Sequence, residues 1–210
     1  MKQRIDLNGN VLDFHGPGDM ETIWEQMEDL SWEESMPYWV EVWPSGTVLA
    51  EWILKKSNKI ANRNCLDLGC GLGVTTCAGA LGGAALTALD NEWEALRYTK
   101  YNLQINKLPR VNLLNTDWEY PALKPRNFEF IFGADVLYES RFFLPLLRLF
   151  RYLLAPGGRV WLAAPDRTVT KPFWELLKKT DWETTLLLKK STKQSRNNKS
   201  LIYLWELKKD

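Results

Sequence analysis

The chain has 210 residues, 45% hydrophobic and 25% charged, with a formal net charge of +1. That length suits one domain with a sizeable core, and the near-neutral balance argues against a chain built chiefly to bind nucleic acid. No run approaches the roughly 18 apolar residues of a membrane-spanning helix, and the start "MKQRIDLNGN" lacks the apolar core of a secretory leader. A cytoplasmic monomer is expected, with no membrane partner.

Taken in order, "RIDLNGNVLDF" places two alternating runs around Asn8-Gly9, the signal of a tight hairpin. Asp19 reads as an N-cap, and Met20, Ile23, Trp24, Met27 and Leu30 fall on one helical face. The aromatic stretch "SWEESMPYWVEVWPSG" follows, after which Ser45 is expected to cap a helix that turns Val48, Leu49, Trp52 and Ile53 inward. The single histidine, His15, sits in "DFHGPGD", read as a loop, so imidazole chemistry is not expected.

From Asn64 strands and helices alternate. "CLDLG" is a strand, Val74 to Leu81 a helix, "ALTALD" a strand ending at Asp90, and Trp93 to Ile105 a helix. "VNLLNTD" reads as a third strand ending at Asp117, "FEFIFGAD" as a fourth ending at Asp135, and Phe142 to Leu154 as a helix stopped by "APGG". "RVWLAAPD" is a fifth strand and "KPFWELLKK" a helix; "DWETTLLL" and "SLIYLWEL" then close the chain as two strands around the polar loop "KKSTKQSRNNK". Near-continuous apolar strands between helices indicate a parallel sheet covered on both faces. The expected architecture is α/β: a Rossmann-like, doubly wound, seven-stranded sheet, mostly parallel with a C-terminal antiparallel hairpin. One domain over 1–210 is expected, with 1–45 as an N-terminal extension and 46–210 as the core. Cys65, Cys70 and Cys77 have no C-x-x-C spacing, so buried reduced thiols are expected rather than a metal centre or disulfides.

Ligands of open α/β sheets lie at the carboxyl ends of the strands. Gly69, Gly71 and Gly73 follow the first strand, while Asp90, Asp117 and Asp135 end the next three. A dinucleotide fingerprint is G-x-G-x-x-G; here the third glycine comes one place early, which weakens that reading without excluding it. A P-loop requires a lysine that is absent between residues 60 and 99, which disfavours ATP.

The D-x-G-x-G-x-G run from Asp67, the acidic strand ends, the "PGG" at 156–158 and the terminal hairpin resemble class I S-adenosylmethionine-dependent methyltransferases over residues 40–207. "EVWPSGTVLAEWIL", "DW" at 117–118 and "GADVLYE" at 133–139 resemble the seven-strand protein lysine methyltransferases of family 16. "YWVEVWPSG" and "APD" are most similar to its electron-transfer flavoprotein beta subunit branch. The resemblance implies that S-adenosyl-L-methionine is the cofactor and that Asp67, Gly69, Cys70, Gly71 and Gly73 form its loop. It implies that Asp90 meets the ribose hydroxyls and Asp117 the adenine amine, that Trp43 and Trp118 are aromatics around the cofactor, and that Asn91 and Ala134 complete the contacts.

The same resemblance implies a D-x-x-Y element, Asp135 to Tyr138, bordering the methyl acceptor, with Asp135 and Tyr138 as its catalytic pair. Relatives that methylate base amines carry N-P-P-Y instead, so a protein lysine is expected and nucleic acid is not. An acceptor amine must be neutral, and a lysine of pKa ~10.4 is so only about once in 2,500 at pH 7. Burial among aromatic walls such as Tyr38, Trp39, Trp43 and Tyr138 lowers that pKa. A small-molecule N-methyltransferase and a non-catalytic cofactor-binding scaffold remain alternatives from sequence. The five cations between Lys189 and Lys199 are expected to be a solvated hairpin tip.

Overall fold

In the computed structural model, residues 1–18, 37–193 and 199–209 are described; the helix expected over 20–30, with Asp19 at its cap, lies outside them. Strands β1 (Lys2–Leu7) and β2 (Asn10–His15) pair antiparallel. Asn8 and Gly9 both adopt positive φ, 56° and 90°, as a two-residue turn of the primed type requires. His15 closes β2 rather than standing in a loop.

Helix α1 (Pro44–Lys55) begins two residues earlier than expected, with Trp43 rather than Ser45 at the N-cap and no side-chain capping bond. Proline at the first position explains this, because its fixed φ is pre-set for a helix start and its missing N–H is not needed there. Ser45 therefore lies inside the first turn and is buried with Val48, Leu49 and Ile53, while Trp52 is half-buried. A single turn, α2 (Ser57–Ile60), follows.

The main sheet contains β3 (Asn64–Leu68), β4 (Ala85–Asp90), β5 (Asn112–Asn115), β6 (Phe128–Ala134), β7 (Leu154–Pro165), β8 (Glu183–Lys193) and β9 (Lys199–Lys208). Their order is β5-β4-β3-β6-β7-β9-β8, parallel from β5 to β7, with β9 antiparallel to both neighbours. Order reverses between β3 and β6, so the switch point lies at their carboxyl ends. Helices α3 (Val74–Leu81), α4 (Trp93–Ile105), α5 (Phe143–Leu153) and α6 (Lys171–Leu177) complete the crossovers.

Two apolar clusters sandwich the sheet. Leu49, Ile53, Cys77, Phe132 and Trp161 belong to one, and Leu66, Leu68, Ile131, Phe150 and Phe173 to the other. Successive residues of β6, Ile131 and Phe132, thus enter opposite clusters, as the period of a strand dictates. The three cysteines are free and buried.

Two strand limits differ from the sequence reading. The third strand stops at Asn115, because its sole neighbour β4 ends at the partner residue Asp90 and no ladder continues beyond it. The stretch read as a polar loop instead extends the hairpin: Lys189 to Lys193 belong to β8, which pairs with β9 out to Lys193 and Lys199.

The N-terminal hairpin is fastened to α4 by two asparagines. Asn102 accepts from the His15 N–H (2.8 Å) and donates to His15 O (3.0 Å) and Leu72 O (2.8 Å). Asn106 accepts from the Asp13 N–H (2.8 Å) and donates to Asp13 O (2.7 Å). Each amide supplies the edge of β2 with the donor and acceptor that a neighbouring strand would.

Candidate functional site

Leu66 and Leu68 bury β3 in the core, and the chain leaves it through three glycines of positive φ. At Gly73 there is no room for a side chain: a Cβ there would lie 2.8 Å from Thr99 Oγ1, whereas one on Gly69 would make ordinary contact with the Trp118 ring at 3.4 Å. The loop can therefore lie tight against α4 and open its backbone toward the switch point.

Asp67 does not line that opening. It is buried, and its oxygens accept hydrogen bonds from the hydroxyls of Thr75 (2.8 and 2.7 Å) and Thr76 (2.5 Å), tying the end of β3 to the first turn of α3. Burial pushes its pKa up to about 6, against the pull of both hydroxyls. Asp90 is also buried, and burial raises it to about 6. Its Oδ2 accepts from the Gly71 N–H at 2.9 Å and its Oδ1 from the Glu92 N–H at 3.0 Å. Each oxygen retains a lone pair, and Asp90 borders a cavity of about 210 Å³ between the glycine loop and the ends of β4 and β6.

At the other end of this cavity, β6 delivers Ala134 and Asp135. Asp135 has φ 57°, and its N–H donates to Ala163 O at 2.9 Å, prolonging the ladder with β7 while aiming the side chain aside. Burial raises the pKa of Asp135, while the guanidinium of Arg167, 3.4 Å from Oδ1, and the nearby Ser45 hydroxyl lower it. Asp135 Oδ2 and Ser45 Oγ are both buried without a hydrogen bond of good geometry.

Aromatic rings wall this end. Tyr138 lies 4.8 Å from Tyr38 and 5.2 Å from Phe142 between centroids, and Tyr38 lies 6.3 Å from Trp43. Trp43 Nε1 donates to Tyr38 O at 2.7 Å, and Trp118 meets Phe142 edge-on at 5.2 Å. Arg141 pairs with Glu139 at 2.6 Å and lies 4.8 Å from the centroid of Phe142.

Of the residues singled out from sequence, the cavity brings together Trp43, Gly69, Cys70, Gly71, Asp90, Asn91, Trp118, Ala134, Asp135 and Tyr138. Asp67, Gly73 and Asp117 do not line it. Asp117 stands two residues past its strand, exposed, with Oδ1 accepting from the Glu119 N–H at 2.5 Å. Sequence reasoning passed over Glu92, Glu139, Arg141, Phe142 and Arg167, all on the lining. Arg167 had a signal, since it lies two residues beyond the end of β7, at the same edge of the sheet as the acidic strand ends.

A family model described as lysine methyltransferase matches residues 23–180, which include the glycine loop, Asp90 and the D-x-x-Y element. The chain belongs to the lysine methyltransferase family. It is 27% identical over 197 residues to the mouse electron transfer flavoprotein beta subunit lysine methyltransferase, covering 88% of this chain and 71% of that protein. The zebrafish protein of the same name is 40% identical over 78 residues, covering 37% of this chain and 30% of the relative. Protein N-lysine methyltransferase METTL21A of Xenopus tropicalis is 28% identical, with 59% of each chain covered. The chain thus spans about a third to two thirds of most of these relatives.

Among solved structures, a T. thermophilus 16S rRNA methyltransferase in complex with AdoMet and guanosine matches with a TM-score of 0.65 and 17% identity. It covers 100% of this chain and 50% of that one. The ribosomal protein L11 methylase of Lactobacillus delbrueckii subsp. bulgaricus matches with a TM-score of 0.60 and 17% identity, covering 79% of each. These likenesses establish the Rossmann-like methyltransferase fold for the family member described here.

Proposed function

We propose that the chain is an S-adenosylmethionine-dependent N-methyltransferase acting on lysine side chains of a protein. The observation that carries the reading is the division of one cavity between two chemistries. Gly69, Gly71 and Asp90 offer backbone and carboxylate acceptors at one end, while Asp135 sits within aromatic walls at the other. The residues present suit the cofactor: Asp90 retains lone pairs for ribose hydroxyls, the Gly69 and Gly71 backbone offers close approach, and Trp118 supplies a flat apolar face.

When bound, S-adenosylmethionine supplies a methyl group whose bond to sulfur breaks, leaving its electron pair on sulfur, as the amine lone pair forms the new N–C bond. The chain's own part is positioning and electrostatics. Tyr38, Trp43, Tyr138 and Phe142 exclude water from the acceptor and favour its neutral form; their faces also hold a methylated ammonium by cation–π attraction. The Asp135 carboxylate on the cavity lining would accept an N–H of the amine and orient its lone pair. Burial pushes the pKa of Tyr138 up, so its hydroxyl stays neutral and acts as wall and hydrogen-bond partner, not as a base.

The names carried by the mouse and zebrafish relatives support an electron transfer flavoprotein beta subunit as the first protein to try. The free, buried cysteines fit a reducing compartment, in support of a cytoplasmic setting. The test is incubation with methyl-labelled cofactor and either that subunit or a methylation-naive lysate, followed by identification of the labelled residue. Label on a lysine of a protein band is the expected result. Label confined to small molecules would replace the acceptor class, and no calorimetric binding of the cofactor would remove the reading altogether.

A further inference from the structure

We propose that Arg167 is a positioning residue that keeps the acceptor amine unprotonated by neutralising Asp135; this inference rests on the lysine-methylating reading above. Arg167 Nη1 lies 3.4 Å from Asp135 Oδ1, and the carboxylate side chain is only 12% exposed. The other oxygen, Oδ2, is buried, and the Ser45 hydroxyl lies beside the carboxylate. One oxygen thus faces a permanent cation, on a carboxylate that borders the cavity. Arg167 is braced from behind, its guanidinium 5.9 Å from the ring centroid of Trp43, whose own N–H is fixed to Tyr38 O.

A buried carboxylate alone would serve this reaction badly. It would attract a lysine as the ammonium, raise its pKa, and hold it in the form that has no lone pair. A guanidinium, which does not deprotonate in proteins, offsets most of that field while leaving the carboxylate able to accept a hydrogen bond from a neutral amine. The ammonium proton then passes to solvent, and the amine enters with its lone pair free. The other charged groups on the lining do not replace Arg167. Glu139 is taken by Arg141, while Asp90, Glu92 and Glu41 are acids that would favour the ammonium. Burial pushes the pKa of the Tyr138 phenol up, so it stays neutral at physiological pH.

The test measures kcat and KM against pH for the full chain and for Arg167→Gln, with the electron transfer flavoprotein beta subunit or whichever lysate protein the unaltered chain labels. The acid limb of the kcat profile is expected to move up by about one pH unit, so that kcat falls about tenfold at pH 7 and recovers near pH 9.5. KM at pH 7 is expected to stay level or fall, because the uncompensated carboxylate attracts ammonium. Arg167→Lys should restore the limb, and Asp135→Asn combined with Arg167→Gln should abolish the shift.

A second readout needs no turnover. In a 13C titration of the ligand-free protein, the Asp135 carboxyl should titrate ~1 pH unit higher in Arg167→Gln. A pH-independent loss of kcat, a raised KM with the limb in place, or an unmoved Asp135 titration would each overturn the inference. If the unaltered chain labels no lysine, the proposed function falls and this inference with it. If it labels lysine and the limb does not move, only the role of Arg167 falls.

Discussion

The Thr75 hydroxyl donates toward both oxygens of Asp67, at 2.8 and 2.7 Å, so the most buried acid of the glycine loop holds the first turn of α3. Asp67→Ala would leave the Thr75 and Thr76 hydroxyls unpaired inside the core, and a loss of roughly 2–4 kcal/mol is expected. Asp67→Asn tests the charge separately. The folded pKa of about 6 lies above the unfolded value, so the folded state binds more protons between pH ~4 and 6. This group's contribution is therefore fully present below pH ~4 and is lost as pH rises through 6. Denaturant titrations at several pH values should show the unaltered chain losing stability relative to Asp67→Asn across that window, by at most about 1.4 kcal/mol per pH unit. A constant difference would show that Asp67 does not titrate there.

Asp90 has the same pKa direction with a different consequence. A ribose hydroxyl donates best to a carboxylate, and burial holds the Asp90 pKa at about 6 in the ligand-free protein. Cofactor affinity measured by calorimetry should be level above pH 7 and weaken toward tenfold per pH unit below 6. Asp90→Asn should remove that dependence. Asp90→Ala should cost more, since the Gly71 and Glu92 N–H groups also lose their acceptor.

Gly73 and Gly9 separate strain from crowding. Both have positive φ, but a Cβ on Gly9 meets nothing within 4 Å, whereas on Gly73 it meets the buried Thr99 side chain at 2.8–3.1 Å. Gly9→Ala should cost only the left-handed strain, about 1–2 kcal/mol. Gly73→Ala adds overpacking of about 1–3 kcal/mol and should also weaken cofactor binding, because Thr99 holds the Gly71 carbonyl at 2.8 Å. Equal losses in thermal melts would mean that the loop shifts to accept the methyl group.

At the acceptor end, Tyr138→Phe should leave the shape of the kcat–pH profile unchanged, since the buried phenol does not ionise in the working range. Tyr138→Ala opens the wall between Tyr38 and Phe142 and should lower kcat/KM roughly 10- to 100-fold with little change in cofactor affinity. Full turnover in both Tyr138→Phe and Asp135→Ala would move the acceptor site elsewhere.

The strongly periodic elements were legible in the sequence: α3 and α4 run over the residues expected, because Gly73 and Gly82 bracket one and a long amphipathic pattern defines the other. Asp117 was misplaced because an edge strand ends where its neighbour ends, and residues 112–117 do not reveal how far β4 extends. Asp67 was read with the cofactor loop; its inward orientation depends on Thr75 and Thr76 one helix turn away, and that meeting arises only when β3 and α3 pack. Arg167 lies just past β7, which marks its sheet edge but not its partners. Its partners Asp135 and Trp43 lie 32 and 124 residues away in sequence and meet it only at the folded sheet edge.

The asparagine seam on α4 makes the first 15 residues a reporter of the glycine loop. Asn102 is bonded to His15 and to Leu72 at once, so opening the hairpin and loosening the loop are linked events. By linkage, a ligand that binds only the ordered loop protects the hairpin by RT ln(1 + [L]/Kd), about 2.7 kcal/mol at 100 times Kd. The His15 amide, over which no ligand need pass, should then exchange with solvent more slowly as cofactor is added, and Asn102→Ala should uncouple the two.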